Sequence, residues 1–217
     1  MQDSPNVEGI KIFMVASDTY KTIKSVSHGL FKEKGSKFIS IAFPVKNEAE
    51  IKLFLDETRK EHHDAKHHCY AYAIGADGAT WRANDDGEPS GTAGRPIFGQ
   101  IRSFGITNVL VIVPRYFGGT LLGTSGLINA YKSAAGSALA NAEIIEHVVQ
   151  QKCDLFFPYI SMNEVMKIIK EEDIAQSAPS FDLECRLTVY FRSSEREKIK
   201  AKFSRIGGLK INFLEVE

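Results

Sequence analysis

The sequence predicts an α+β protein built of two domains. Three observations carry the prediction. Strand-like alternation and helix-like periodicity follow one another along the 217 residues. One run, VLVIVP at residues 109–114, has no polar break and implies a strand buried on both faces. After about residue 145 the order becomes strand, helix, two strands, helix, strand, the βαββαβ pattern of ferredoxin-like domains. The boundary is expected near residues 141–147. This gives an N-terminal domain over 1–142, with 1–8 disordered, and a C-terminal ferredoxin-like domain over 143–217.

In the first domain, residues 25–45 read as two strands about a Gly35-Ser36 turn, with Phe38, Ile39, Ile41, Phe43 and Val45 as the apolar set. A helix follows, capped by Asn47 and carrying Ile51, Phe54 and Leu55 at helical spacing. HHCYAYAIG is a strand, closed by Gly75 and an Asp77-Gly78 turn. IFGQIRSFG is a short helix ending at Gly105, with Pro96 expected at its first position. The buried strand ITNVLVIVPRYF leads through GGTLLGTSG into LINAYKSAAGSALANA, a helix whose small residues allow close packing on a sheet. In the second domain, VVQQKCDLFFPY is a strand. SMNEVMKIIKEE is an amphipathic helix with Met162, Val165, Met166 and Ile169 on one face and a Ser161/Glu164 capping box. DIAQSAPSF and DLECRLTVYF are strands, SSEREKIKAKFSRIGG is a helix stopped by a glycine pair, and LKINFLEVE is a closing strand.

Composition narrows the function classes. Lys+Arg and Asp+Glu both number 27, so attraction for nucleic acid has to come from a local patch. Three widely spaced cysteines (Cys69, Cys153, Cys185) form neither a disulfide framework nor a CxxC pair, which fits a reducing cytoplasm. The N-terminus lacks a signal-peptide pattern, and no apolar run is long enough to span a membrane. No cofactor is expected.

Four constellations carry chemistry. NDDGEPSGTAGRP at 84–96 reads by composition as a turn, and its length without an apolar anchor is what argues for function. Asp85, Asp86 and Glu88 can serve as acid/base groups or hold a divalent cation, and Ser90 and Thr92 are hydroxyls outside any nucleophile motif. The bland alternative is that Asp, Gly and Pro are what turns use. RYFGGTLLGTSG puts a glycine-rich turn before a helix capped by Thr124 or Ser125, either an anion site to which Arg115 and Lys132 add charge or a strand-to-helix turn that binds nothing, and no Walker lysine follows. EHHDAKHHC gathers His62, His63, His67 and His68. His63 and His67 have metal-ligand spacing only if a helix continues through them, and no specific metal site is expected. Finally, Arg196, Lys198, Lys200, Lys202 and Arg205 make the clearest basic patch, a nucleic-acid contact or a solvated helix face.

HHC at 67–69, DDGEPSGTAGRP at 85–96 and RYFGGTLLGTSG at 115–126, in that order, resemble the Impact/YigZ family. The likeness covers about residues 25–140, and the C-terminal module also resembles bacterial members. It implies an N-terminal domain with the left-handed βαβ topology of domain two of a ribosomal small-subunit protein. The same superfold occurs in elongation factor G domain four and the GHMP kinases. It implies a C-terminal domain like elongation factor G domain five. Eukaryotic relatives regulate translation initiation through an extra partner-binding domain. The chain is expected to lack it, so that partner is not carried over.

Two function readings follow. The first is a non-enzymatic cytoplasmic protein that binds RNA or the ribosome and acts in translation. Its binding surface is made of Asp86, Glu88, Ser90, Thr92, Arg95, Arg115, Tyr116, Gly119, Gly123, Ser125 and Lys132, with the basic helix as its nucleic-acid contact. The second is an enzyme on a phosphorylated or nucleotide substrate, with Asp85, Asp86 and Glu88 as its catalytic groups.

Overall fold

The computed structural model describes residues 18–177, 180–181 and 185–214. Residues 1–8, expected to be disordered, lie outside them. Among the described residues no helix is long and apolar enough to cross a membrane. The chain divides into two compact units, one spanning Thr19–Val148 and the other built on the residues from Val149 onward.

The first unit holds β1 (Thr19–Ile23), β2 (Ser27–Glu33), β3 (Ser36–Pro44), α1 (Glu48–Glu61), β4 (His67–Ile74), β5 (Thr80–Asn84), α2 (Gly94–Ser103), β6 (Val109–Tyr116), α3 (Gly123–Ala140) and β7 (Ile144–Val148). Its main sheet has the order β2-β3-β6-β4-β5, with every neighbouring pair antiparallel. The unbroken apolar run of β6 is buried on both faces, as its composition requires. Val109, Val111 and Val113 join the core under α2 and α3, while Leu110 and Ile112 join the core under α1. The hairpin turn falls at Lys34-Gly35, one residue earlier than expected, with φ of 45° and 79°. Two positive φ values make the two-residue turn that matches strand twist. Asn47 caps α1, its Oδ1 accepting from the Glu50 N–H at 3.0 Å.

The small residues of α3 serve close approach. Ser40 Oγ donates to the Ala134 carbonyl (2.6 Å) and Ser27 Oγ to the Ala138 carbonyl (2.8 Å). A Cβ on Gly29 would sit 2.4 Å from the Ala138 nitrogen. Three local expectations change. Neither Thr124 nor Ser125 caps α3, which begins at Gly123 with no side-chain cap. Pro96 is the third residue of α2, not its first. Residues 143–148, assigned by pattern to the second domain, instead include β7, which pairs antiparallel with β1, so the division falls after Val148.

The second unit holds β8 (Gln150–Phe157), α4 (Met162–Glu171), β9 (Ala175–Gln176), β10 (Ser180–Phe181), β11 (Cys185–Arg192), α5 (Arg196–Phe203) and β12 (Lys210–Phe213). The sheet order β10-β11-β8-β12, with β9 also on β11, places the strands as a βαββαβ domain requires. Alternate residues Cys153, Leu155 and Phe157 of β8 and Cys185, Leu187, Val189 and Phe191 of β11 meet Val165, Ile169, Ile199 and Phe203 of the helices. The Ser161 capping box does not form. A 3-10 turn, Tyr159–Ser161, precedes α4, and Ser161 makes no cap bond.

Two glycines test this packing with opposite signs. A Cβ on Gly118 would lie 1.9 Å from the Gly35 carbonyl carbon and 2.2 Å from the Ser36 nitrogen, whereas one on Gly99, inside α2, meets nothing within 4 Å. Gly118→Ala is expected to lower stability by about 1–3 kcal/mol, and Gly99→Ala to raise it by about 0.8–1 kcal/mol. Urea midpoints of the two variants check both.

Candidate functional site

The 84–96 segment is ordered by its carboxylates. Asp85 Oδ1 accepts from the backbone N–H of Ala93 (3.0 Å) and Gly94 (2.8 Å), and Oδ2 from that of Gly91 (2.8 Å). It thus caps α2 from outside the helix. Burial pushes the Asp85 pKa up, but the bonds from Gly91, Gly94 and Ala93 and the charge of Arg95 outweigh it and hold the group below its ordinary 3.8. Asp86 sits at φ 42°, its N–H held by Asn84 Oδ1 (2.8 Å). Its carboxylate accepts from the His68 N–H (2.6 Å) and faces Arg59 at 3.5 Å, and its carbonyl lies 2.7 Å from His67 Nδ1.

Glu88, 9% exposed, ties this segment to the sheet and to α3. Its Oε1 accepts from Arg115 Nη1 at 2.5 Å and from the Tyr131 hydroxyl at 2.8 Å. Burial, with Cys69 and Glu88 alongside, drives the Tyr131 phenol far above the usual tyrosine range, so it stays protonated and donates. Cys69 Sγ lies 3.3 Å from that hydroxyl and 3.0 Å from the Asp85 carbonyl. Burial raises the Cys69 pKa well above the ordinary thiol value, which keeps it an unreactive thiol. Arg115 Nε is buried with no hydrogen-bond partner among the described residues.

Beside this tie opens a cleft of about 470 Å³, lined by Lys66, His67, Glu88, Pro89, Arg115, Phe117, Leu121, Leu122, Gly123, Thr124 and Leu127. The volume falls within the roughly 300–1,000 Å³ of small-molecule sites. Lys66 is exposed and makes no ion pair among the described residues. The Arg115 guanidinium lies over the rings of Phe38 (5.4 Å) and Phe117 (5.7 Å), and Phe117 remains 45% exposed. The uncapped start of α3 contributes backbone N–H groups to the same wall.

Glu88, Arg115 and Gly123 of the expected binding surface therefore meet in one cleft. The others do not line it. Thr92 is buried and donates to the Pro89 carbonyl (2.7 Å). Ser90, Arg95, Gly119, Ser125 and Lys132 are exposed elsewhere. Tyr116, one residue past Arg115, points to the opposite sheet face, where it donates to Asp64 (3.1 Å) and meets His62 Nδ1 (2.9 Å). His62 ends α1 while His67 and His68 open β4, so no continuous helix runs through the histidines. In the second unit Lys198 and Lys202 both pair with Glu172, Lys198 at 2.5 Å. These ammonium groups hold the Glu172 pKa below its ordinary value. Arg196 lies over the Phe213 ring at 4.3 Å. Of the five basic residues expected to contact nucleic acid, Lys200 and Arg205 remain without such partners among the described residues. Lys66, Leu121 and Leu127 were not anticipated as site residues.

Fold and site together define a two-domain α+β protein whose two glycine-rich segments close over one cleft. The sequence model of the Impact N-terminal domain matches residues 34–139. IMPACT family member YvyE of Bacillus subtilis (strain 168) is 34% identical over 154 residues, 70% of this chain and 70% of that protein. IMPACT family member YigZ of Escherichia coli (strain K12) is 42% identical over 108 residues, 49% of this chain and 53% of YigZ, so that match spans about half of YigZ. A crystal structure of a hypothetical protein, 29% identical, superposes with a TM-score of 0.68 over 92% of this chain and 98% of that one. The chain belongs to the IMPACT family.

Two predictions test the scaffold. Glu88→Ala and Arg115→Met are each expected to cost about 3–5 kcal/mol, because each strands a buried partner. Their double variant should lose less than the sum, and denaturant unfolding of all three checks the coupling. Asp85 has its folded pKa below its unfolded one. Its stabilisation is therefore complete above the ordinary 3.8 and is lost as pH falls through the folded value. Asp85→Asn is expected to cost about 1–2 kcal/mol at neutral pH. It should also flatten the loss of stability below about pH 4 relative to wild type, read from urea midpoints across pH.

Proposed function

We propose that the chain is a non-enzymatic RNA- or ribosome-binding protein acting in translation, and that it holds single-stranded RNA in the cleft between the 84–96 segment and the β6–α3 turn. One observation carries the reading. Lys66 and the uncapped helix start stand beside the exposed ring of Phe117 in a single concave wall, which the Glu88–Arg115 pair also lines. Phosphate is met by Lys66 and the helix-start N–H groups, and a base by the aromatic face. A further feature supports binding over acid/base chemistry. The carboxylates of Asp85, Asp86 and Glu88 are all engaged by the protein's own donors. The placing of the role in translation rests on the translation-machinery modules that the family resemblance implies for both domains.

The test is filter binding of single-stranded RNA at low and moderate salt. Affinity should fall with salt, and Lys66→Glu should weaken binding several-fold and lower the salt slope by about one or more. Charge reversal at Lys198 and Lys202 should reduce stability and leave the slope unchanged, since both already face Glu172. No binding at low salt, or binding indifferent to salt, refutes the reading.

A further inference from the structure

We infer that Trp81 and Phe98 form a second contact for single-stranded RNA, a base-stacking platform apart from the cleft. The inference rests on the RNA-binding reading above and adds a site to it. β5 is the edge strand of the main sheet, and Trp81 stands on it with 53% of its surface exposed. Its indole lies flat on Phe98 of α2, with ring centroids 4.3 Å apart and an interplanar angle of 14°. The pairing of Trp81 with Ala73 turns the indole to the face of the sheet that α2 covers. Phe98 is partly buried against the core under α2 and α3, and Trp81 forms the exposed side of the stack.

The charges around the stack select its occupant. Arg95 precedes Phe98 by three residues and Arg102 follows it by four, so helical geometry puts all three on one side of α2. Both arginines are exposed, and neither forms a hydrogen bond or ion pair through its side chain among the described residues. The helix itself, GRPIFGQIRS, carries no carboxylate. The nearby Asp85 carboxylate is turned inward onto the backbone of Gly91, Ala93 and Gly94. The charge of Arg95 also acts on Asp85, yet its guanidinium stays exposed, and an aromatic face between two exposed guanidinium groups suits a strand that offers bases and phosphates alternately. An apolar protein partner would have to cover these cations without a counter-charge on α2, which is costly.

Trp81 is the chain's one tryptophan, so its fluorescence reports on the platform alone. Titrating the full chain with an adenine-rich single-stranded oligoribonucleotide should quench this emission, and duplex RNA of equal charge should not. Trp81→Ala, its fold checked by circular dichroism, should bind the oligonucleotide about tenfold more weakly or worse. Trp81→Phe should keep most of the affinity. Arg95→Gln with Arg102→Gln should lower both affinity and salt dependence. Retention of RNA by the wild type without quenching, together with unchanged affinity in Trp81→Ala, overturns the platform and leaves RNA binding by the cleft standing. Failure of the wild type to retain RNA at low salt overturns both. Loss of a protein partner in Trp81→Ala, with RNA affinity unaltered, also overturns it, in favour of a protein-docking face.

Discussion

The carboxylate of Glu88 joins three distant parts of the chain. It sits in the 84–96 segment, accepts from Arg115 at the end of β6, and accepts again from Tyr131 in α3. A buried charge has to be paired, and a buried pair contributes position more reliably than net stability. The segment cannot lift away from the sheet without leaving both Glu88 and Arg115 bare. One wall of the cleft is thereby fixed before any ligand arrives, which reduces the ordering cost of binding. The tie is also incomplete, since Arg115 Nε has no hydrogen-bond partner among the described residues. An unmet buried donor costs about 1–3 kcal/mol, and the same arginine lines the cleft.

Around Glu88, main-chain hydrogen bonds replace the apolar anchors that the segment lacks. Asp85 reaches the N-terminus of α2 from nine positions before Gly94. Asp86, held at a positive φ by Asn84, fastens the segment to the start of β4. Both therefore act as scaffolding. A carboxylate that accepts several N–H bonds is well solvated by the protein and has little drive to take up a proton. The bonds that make Asp85 a good structural clamp hold its pKa below the ordinary value and make it a poor general base near neutral pH.

Much of the architecture was legible because burial imprints a period. The alternation in β8 and β11 and the helical spacing in α4 revealed the βαββαβ unit, and the unbroken apolar run of β6 revealed a strand covered on both sides. Asn47 announced α1 through a cap read from its neighbours in sequence. What escaped reading lacked such an imprint. β1 and β7 form an isolated two-stranded ribbon, and β7 is almost wholly exposed, so neither shows a clear period. Lys66 joins the cleft only because β4 pairs with β6 in the register that sets His67 against Arg115. Register is a property of two strands together. Asp85 was read as a candidate acid because its partners are backbone N–H groups, which no letter of the sequence marks. Lys198 and Lys202 were read as part of a basic patch, because Glu172 reaches them only through the packing of the second unit.

A net charge of zero consequently says little about what each surface presents. In the second unit the basic helix faces an acid of its own domain, and its apparent excess of charge shrinks. In the first unit the reverse holds. Asp85, Asp86 and Glu88 are turned toward backbone N–H groups, histidine and arginines of the protein, leaving Lys66, Arg95 and Arg102 exposed without ion pairs of their own among the described residues. Phe117 and Trp81 remain open to solvent beside these cations. Folding thus converts an acid-rich stretch into the frame of a surface whose available groups are cationic and aromatic. Attraction for a polyanion in a neutral chain depends on this sorting of charge. Counting acids and bases along the sequence gives the total and leaves the sorting unseen.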